Sequence, residues 1–228
     1  MKIIFLLFIT LNSIFAIEIF DVTPTTAKIN ITNLNLGHSG IIVKKTNNNT
    51  MIITQAVVIK STNNNSTLEF VDKDIIVQNA IPTTQLIPEN GDKFILSHLY
   101  KTSLLIVPNI KAKNNVKKLY PNQNFLNEDF FAAHLKILQQ PIPDKETISN
   151  FAQAQQIGTI FIVVKNKLYI LDSITFKIIN TINLSYNDDS TNVPFLTKIQ
   201  DIKAGTWDFS GEKIEDYNRY YLQLMETK

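Results

Sequence analysis

Between Ala27 and about Phe94 the apolar residues come in short runs: Ile29 and Ile31, Ile41 to Val43, Ile52 to Ile59, and Leu68 to Val71. Alternation with a period of two marks a strand with one buried face, so each run is expected to be a strand. Turn formers separate them: the Gly37 to Gly40 stretch, Thr46 to Thr50 with three successive asparagines, and Ser61 to Ser66 with three more. Pro88-Glu89-Asn90-Gly91-Asp92 then precedes Phe94, Ile95 and Leu96, the punctuation of a tight turn feeding a closing strand. This spacing predicts a small, SH3-like antiparallel β-barrel.

The rhythm then changes. Leu104 to Val107 is a continuous apolar run, expected as a buried strand, and from Asn127 the spacing lengthens to that of a helix. Asn127 is the expected N-cap, Glu128 and Asp129 suit the first turn, and Phe130, Phe131, His134, Leu135 and Leu138 are expected on one face. Pro141 and Pro143 end that helix, and a second is predicted from Lys145 to Gln156, carrying Ile148, Phe151 and Ala152 inward, with Gly158 as its stop. Ile160 to Val164, Leu168 to Leu171 and Phe176 to Ile182 then read as an antiparallel meander. Near the end, Ile214, Tyr217, Tyr221 and Leu224 or Met225 fall at helical spacing behind Ser210, a predicted N-cap, in a short helix expected to pack on the second domain. The layout is α+β. We expect a barrel-like domain over 17–97, an α+β domain over 98–209, and a C-terminal helix and tail over 210–228.

What precedes the barrel changes the setting. Lys2, an apolar run from Ile3 to Phe15 and then Ala16 have the layout of a secretory signal peptide over 1–16, with the mature start near Ile17. Glu18 and Asp21 follow too soon for a membrane span, and an apolar first strand is the competing reading. The chain contains no cysteine, which leaves no disulfide and no acylatable residue behind the leader. With no second long apolar stretch, the expectation is a mature protein without membrane span or lipid anchor, in the periplasm or at the cell surface.

Charge and chemistry narrow the reading further. The formal net charge is +2, and removing the leader takes away only Lys2. Such a balance does not favour nucleic acid, and Arg219 is the single arginine, whereas planar recognition of phosphate prefers that side chain. His38, His98 and His134 have no metal-ligand spacing, and no glycine-rich phosphate loop, nucleophile elbow or cofactor motif occurs. Asn187 to Asn192 carries oxygen ligands but lacks the glycine and terminal glutamate of an EF-hand loop, so it reads as a solvated turn. Glu128-Asp129 is explained by the helix start. Asn48, Asn64, Asn65 and Asn183 begin glycosylation triplets of the kind an asparagine-rich chain produces by chance. The expectation is a protein that is not an enzyme and uses no cofactor or metal.

Several blocks carry a family resemblance. Ile157-Gly158-Thr159-Ile160-Phe161-Ile162-Val163-Val164, with Asn166, Leu168, Ile170-Leu171 and Thr175-Phe176, resembles the N-terminal domain family of bacterial plasminogen-binding protein A. Leu104-Leu105-Ile106-Val107-Pro108-Asn109 resembles that family's strand before the helices, and Val193-Pro194-Phe195-Leu196 with Ile202-Lys203-Ala204-Gly205-Thr206 resembles its closing segment. The resemblance implies an envelope or surface protein that binds plasminogen. Kringle domains hold an ammonium and a carboxylate at opposite ends of an aromatic trough, and a terminal lysine supplies both, which makes Lys228 the candidate partner-binding residue. Longer members are expected to continue into an extended charged region before their lysine, and the expectation here, with only Asp208 to Lys228 following Trp207, is that this arm is missing. The alternative expectation is therefore a soluble periplasmic scaffold, or an accessory component of an envelope machine such as a secretion or flagellar apparatus, with other envelope proteins as partners.

Overall fold

The computed structural model describes residues 16–46, 49–71, 86–200, 202–203 and 214–226. Six strands form the expected small barrel: β1 (Ala16–Phe20), β2 (Thr26–Ile29), β3 (Ser39–Lys45), β4 (Thr50–Ser61), β5 (Ser66–Val71) and β6 (Lys93–Leu96). They pair antiparallel in the order β1-β2-β5-β4-β3-β6, and β6 returns to β1 to close the ring. Alternation builds it: Ile19, Ala27, Ile29, Ile42, Ala56, Val58, Leu68 and Phe94 point inward as one fully buried cluster. Thr46 N–H donates to the Asn49 carbonyl where β3 hands over to β4, and Thr62 N–H to that of Asn65 where β4 hands over to β5, both at 2.9 Å. At Gly40 a Cβ would lie 2.4 Å from the Ile95 carbonyl and 2.6 Å from the Phe94 ring, so β3 crosses that ring only with glycine there.

The strand β1 is where sequence and structure differ. Apolar character runs without a break through Ala16, merging the leader's core with a strand whose one fully buried residue is Ile19. Pairing with β2 and β6 gives β1 its identity, and a short edge-to-edge closure of this kind leaves no periodic mark.

A second sheet contains β7 (Thr102–Ile106), β8 (Asn124–Phe125), β9 (Thr159–Val164), β10 (Lys167–Asp172) and β11 (Ile178–Asn183) in the order β11-β10-β9-β7-β8. β7 is parallel to β8 and β9, while β9, β10 and β11 form the expected antiparallel meander. Parallel neighbours require crossovers, and helices supply them: α1 (Ile110–Leu119) between β7 and β8, then α2 (Glu128–Leu138) and α3 (Lys145–Ala154) before β9. The helix α4 (Tyr217–Glu226) completes the described elements.

Helices cover both faces. Phe131, Leu135, Ile148, Phe151, Tyr217 and Tyr221 pack on Leu104, Ile106, Ile160 and Ile162 on one side. Ala112 and Val116 of α1 pack on Leu105, Phe161 and Val163 on the other. Every residue of β9 is therefore buried, which is why it reads as a continuous apolar run.

The helices refine the expectations. Asn127 caps α2 as expected, its side chain accepting from Asp129 N–H at 3.0 Å. The expected face divides, however: Phe131 and Leu135 are buried, whereas Phe130 is 63% and Leu138 50% exposed. α3 begins behind the Asp144 cap and stops at Ala154, so Gly158 opens β9 rather than ending the helix. α1 escaped the periodic reading because it buries only Ala112 and Val116 amid lysine and asparagine; Asn109 caps it, accepting from Ala112 N–H at 2.9 Å. Ser210 lies outside the described residues. Asp216 caps α4, accepting from Arg219 N–H at 3.0 Å.

Candidate functional site

The densest buried polar cluster lies where barrel and second sheet meet. Its centre is Asp172, the last residue of β10 and fully buried. One carboxylate oxygen, Oδ1, accepts from Ile174 N–H and Thr175 N–H, both at 2.9 Å, turning the chain toward β11. The other, Oδ2, faces the barrel, accepting from Ser39 N–H at 3.1 Å, from the Ser39 hydroxyl, and from the Tyr100 hydroxyl at 2.6 Å. A buried carboxyl group is costly unless hydrogen-bonded, and here both oxygens are saturated by donors.

The surrounding chain holds those donors in place. Thr175 passes its own hydroxyl proton to the Gly37 carbonyl at 2.9 Å, and the Asn35 carboxamide donates to the Ile179 carbonyl at 2.7 Å, so the β2–β3 loop is tied to both ends of the β10–β11 turn. Gly158 lets the β6–β7 turn lie directly on the start of β9: a Cβ there would be 2.4 Å from the Leu99 carbonyl carbon and 2.7 Å from Tyr100 N. That contact seats Tyr100 over Asp172.

His38 borders the cluster. Its ring meets that of Tyr100 edge-on at 5.9 Å, and its buried Nδ1 has no hydrogen-bond partner. Burial pushes the His38 pKa below the usual histidine value, opposed by the charge of Asp172. The Tyr100 hydroxyl is driven far above its ordinary range by burial first, then by the Asp172 charge and hydrogen bond. Although serine, histidine and aspartate occur together, the Ser39 hydroxyl donates to Asp172 rather than to an imidazole, so the histidine is not placed to take its proton. The cluster is an interlock between sheets.

The other sequence candidates have structural placements. His98 lies in the β6–β7 turn, where burial lowers its pKa, and His134 on α2 rests against the Phe151 ring at 5.1 Å. Glu128 forms an ion pair with Lys113, joining α2 to α1. Asp129 accepts from the Thr197 hydroxyl at 2.6 Å and from Lys198 N–H at 2.8 Å, bonds that lower its pKa. The Asn187 to Asn192 turn is stitched to α1: Asn109 donates to the Asp188 and Ser190 carbonyls, and Lys111 to that of Asn187. Among the described residues no group of three histidines or carboxylates could hold a metal ion. Lys228 lies outside the described residues.

Sequence reasoning passed over Ser39, Tyr100 and Asp172. Asp172 followed by Thr175 is a local turn signal that was available. Nothing local to Ser39 or Tyr100 announces an acceptor on another sheet.

Parts of the blocks behind the resemblance lie in the core, while 204–206 lie outside the described residues. Phe195 is buried and stacks on Phe131 at 5.4 Å, and Leu196 N–H donates to the Val107 carbonyl at 2.8 Å. Fold and cluster together define a two-sheet α+β protein whose buried polar residues join the sheets. The chain belongs to the family described as plasminogen-binding protein pgbA N-terminal, whose model matches residues 14–225. That is a family of plasminogen-binding proteins and not a known enzyme family. No curated protein and no solved structure matches the chain. No described helix is long and apolar enough to cross a membrane.

Proposed function

We propose that this chain is exported and captures plasminogen by presenting lysine to its kringle domains, with Lys228 as the principal contact. The family match over residues 14–225 carries the reading. The end of the described chain supports it: Tyr217 and Tyr221 anchor α4, their hydroxyls donating to the Val163 carbonyl at 3.0 Å and the Pro194 carbonyl at 2.8 Å, and Glu226 beyond them is exposed. Export is supported by the leader pattern, and cleavage after Ala16 leaves Ile17 to pair with Phe94 within β1.

The test is plasminogen capture by purified protein, with and without ε-aminocaproic acid and with Lys228 deleted. Capture is expected to fall in both cases. Capture insensitive to the lysine analogue overturns the lysine mode, and capture unchanged by the deletion overturns the role of Lys228. N-terminal sequencing of protein recovered from cells checks export, with Ile17 as the expected first residue.

A second reading, a periplasmic scaffold that docks other envelope proteins, is favoured by the outer face of α2, where Phe130, Ile137 and Leu138 are at least half exposed. Protease treatment of intact cells distinguishes them: digestion with the outer membrane unbroken rules out an exclusively periplasmic location.

A further inference from the structure

Asn90-Gly91 is the one Asn-Gly pair in the chain. It sits in the turn that leads into β6, the strand on which the barrel closes, and both residues are exposed. The fold uses each of them. Gly91 has φ +96°, a conformation suited to glycine at the third position of the Glu89–Asp92 turn, where Asp92 N–H returns to the Glu89 carbonyl at 3.1 Å. Asn90 Oδ1 accepts from Val22 N–H at 3.1 Å, tying this turn to the chain just beyond β1.

The same pair is chemically labile, because glycine puts no side chain between the next backbone nitrogen and the asparagine carboxamide. The Gly91 nitrogen gives up its proton and bonds to Asn90 Cγ, the Cγ–Nδ2 bond breaks, and ammonia leaves behind a five-membered succinimide. Water then opens the ring at either carbonyl, giving aspartate or, with the main chain rerouted through Cβ, isoaspartate. The net change is one water gained and one ammonia lost. In the folded barrel both reacting groups are held by the end of β1. Gly91 N–H donates to the Ile19 carbonyl at 3.0 Å, Ile19 N–H donates to the Asp92 carbonyl at 2.9 Å, and Val22 holds the carboxamide. Ring closure needs the nitrogen freed and the carboxamide turned onto it. Those bonds part when β1 leaves β6, and the one buried residue that keeps β1 in place is Ile19.

We propose that Asn90 is a deamidation site gated by β1: the reaction runs while β1 is off the barrel, and its isoaspartate product keeps β1 from closing again. The product fits the turn poorly for two reasons. Its main chain is longer by one methylene, which shifts Gly91 N–H away from the Ile19 carbonyl. Its new carboxylate also stands beside Glu89 and Asp92 and close to Glu18, whose Oε1 is 3.9 Å from where a Cβ on Gly91 would be, so like charges crowd the point of closure.

The test follows the mass gain at residue 90 by peptide mapping while the full chain is held at one mildly alkaline pH, folded or in urea. Only the open fraction of folded chains reacts, so the folded rate is expected to be at least about tenfold below the rate in urea. Ile19→Val loosens β1 without emptying the barrel core and should raise the folded rate about two- to tenfold, whereas Ile148→Val in α3 leaves it unchanged. Amide hydrogen exchange of the isoaspartate form should show faster exchange in β1 than the unreacted chain, with β4 unchanged. A folded chain that reacts as fast as the unfolded one, an Ile19→Val rate no higher than that of Ile148→Val, or exchange in β1 unaltered by isoaspartate overturns the proposal.

Discussion

In the barrel each strand turns one face to Ile42 and Phe94 and the other outward, whereas in the second sheet β9 meets helices on both sides and buries every residue. The barrel's stability rests on one small cluster and on closure; the second sheet has two clusters, one per face. Between them the joint is polar, made by Asp172 and its donors. Apolar surface packs almost any way that excludes water, but a saturated carboxylate accepts one arrangement of donors, so the joint sets how the two parts sit.

The largest effect is expected inside the second sheet's helical layer. Phe131→Ala removes a ring packed on Phe151 and Phe195 and should cost about 3–5 kcal/mol in denaturant unfolding. Next, Asp172→Ala strands the Ser39, Tyr100 and Thr175 donors and should cost about 3 kcal/mol. Calorimetry of that variant should show the single transition separating into two, barrel and second sheet; one sharp transition would mean that the joint does not couple them. Asn109→Ala, which uncaps α1 and releases the Asp188 turn, should cost about 1–2 kcal/mol in denaturant unfolding and leave one transition.

A smaller effect depends on pH. Because burial holds the His38 pKa below its unfolded value of 6.5, the unfolded chain binds more protons than the folded one as the pH falls. Stability is thus fully present above 6.5 and declines as the pH drops through the folded value; His98, also lowered by burial, contributes in the same direction. His38→Phe should flatten the decline, and an unchanged slope would place its origin elsewhere. Smallest of all, Lys93→Ala breaks a pair with Glu18 that is largely exposed, and should change barrel stability by at most about 0.5 kcal/mol.

Much of the fold was legible because its signals are local. Alternation around Ile41 and Leu68, the asparagine turns, the Asn127 cap and the run of β9 each act within a few residues. α1 was not legible, because two buried positions among lysines and asparagines carry too little apolar signal. Phe130 and Phe131 look equivalent in sequence, yet the helix's rotation against the sheet buries one and exposes the other.

By itself the sequence determined the class of fold, the positions of most strands and helices, and the family, since each rests on composition and spacing carried by the chain. Only the tertiary structure decided that β1 closes the barrel and that Ser39 and Tyr100 converge on Asp172. The physical reason is separation. Ser39 and Asp172 stand 133 residues apart, and a hydrogen bond over that distance exists only once both sheets are built and set against each other.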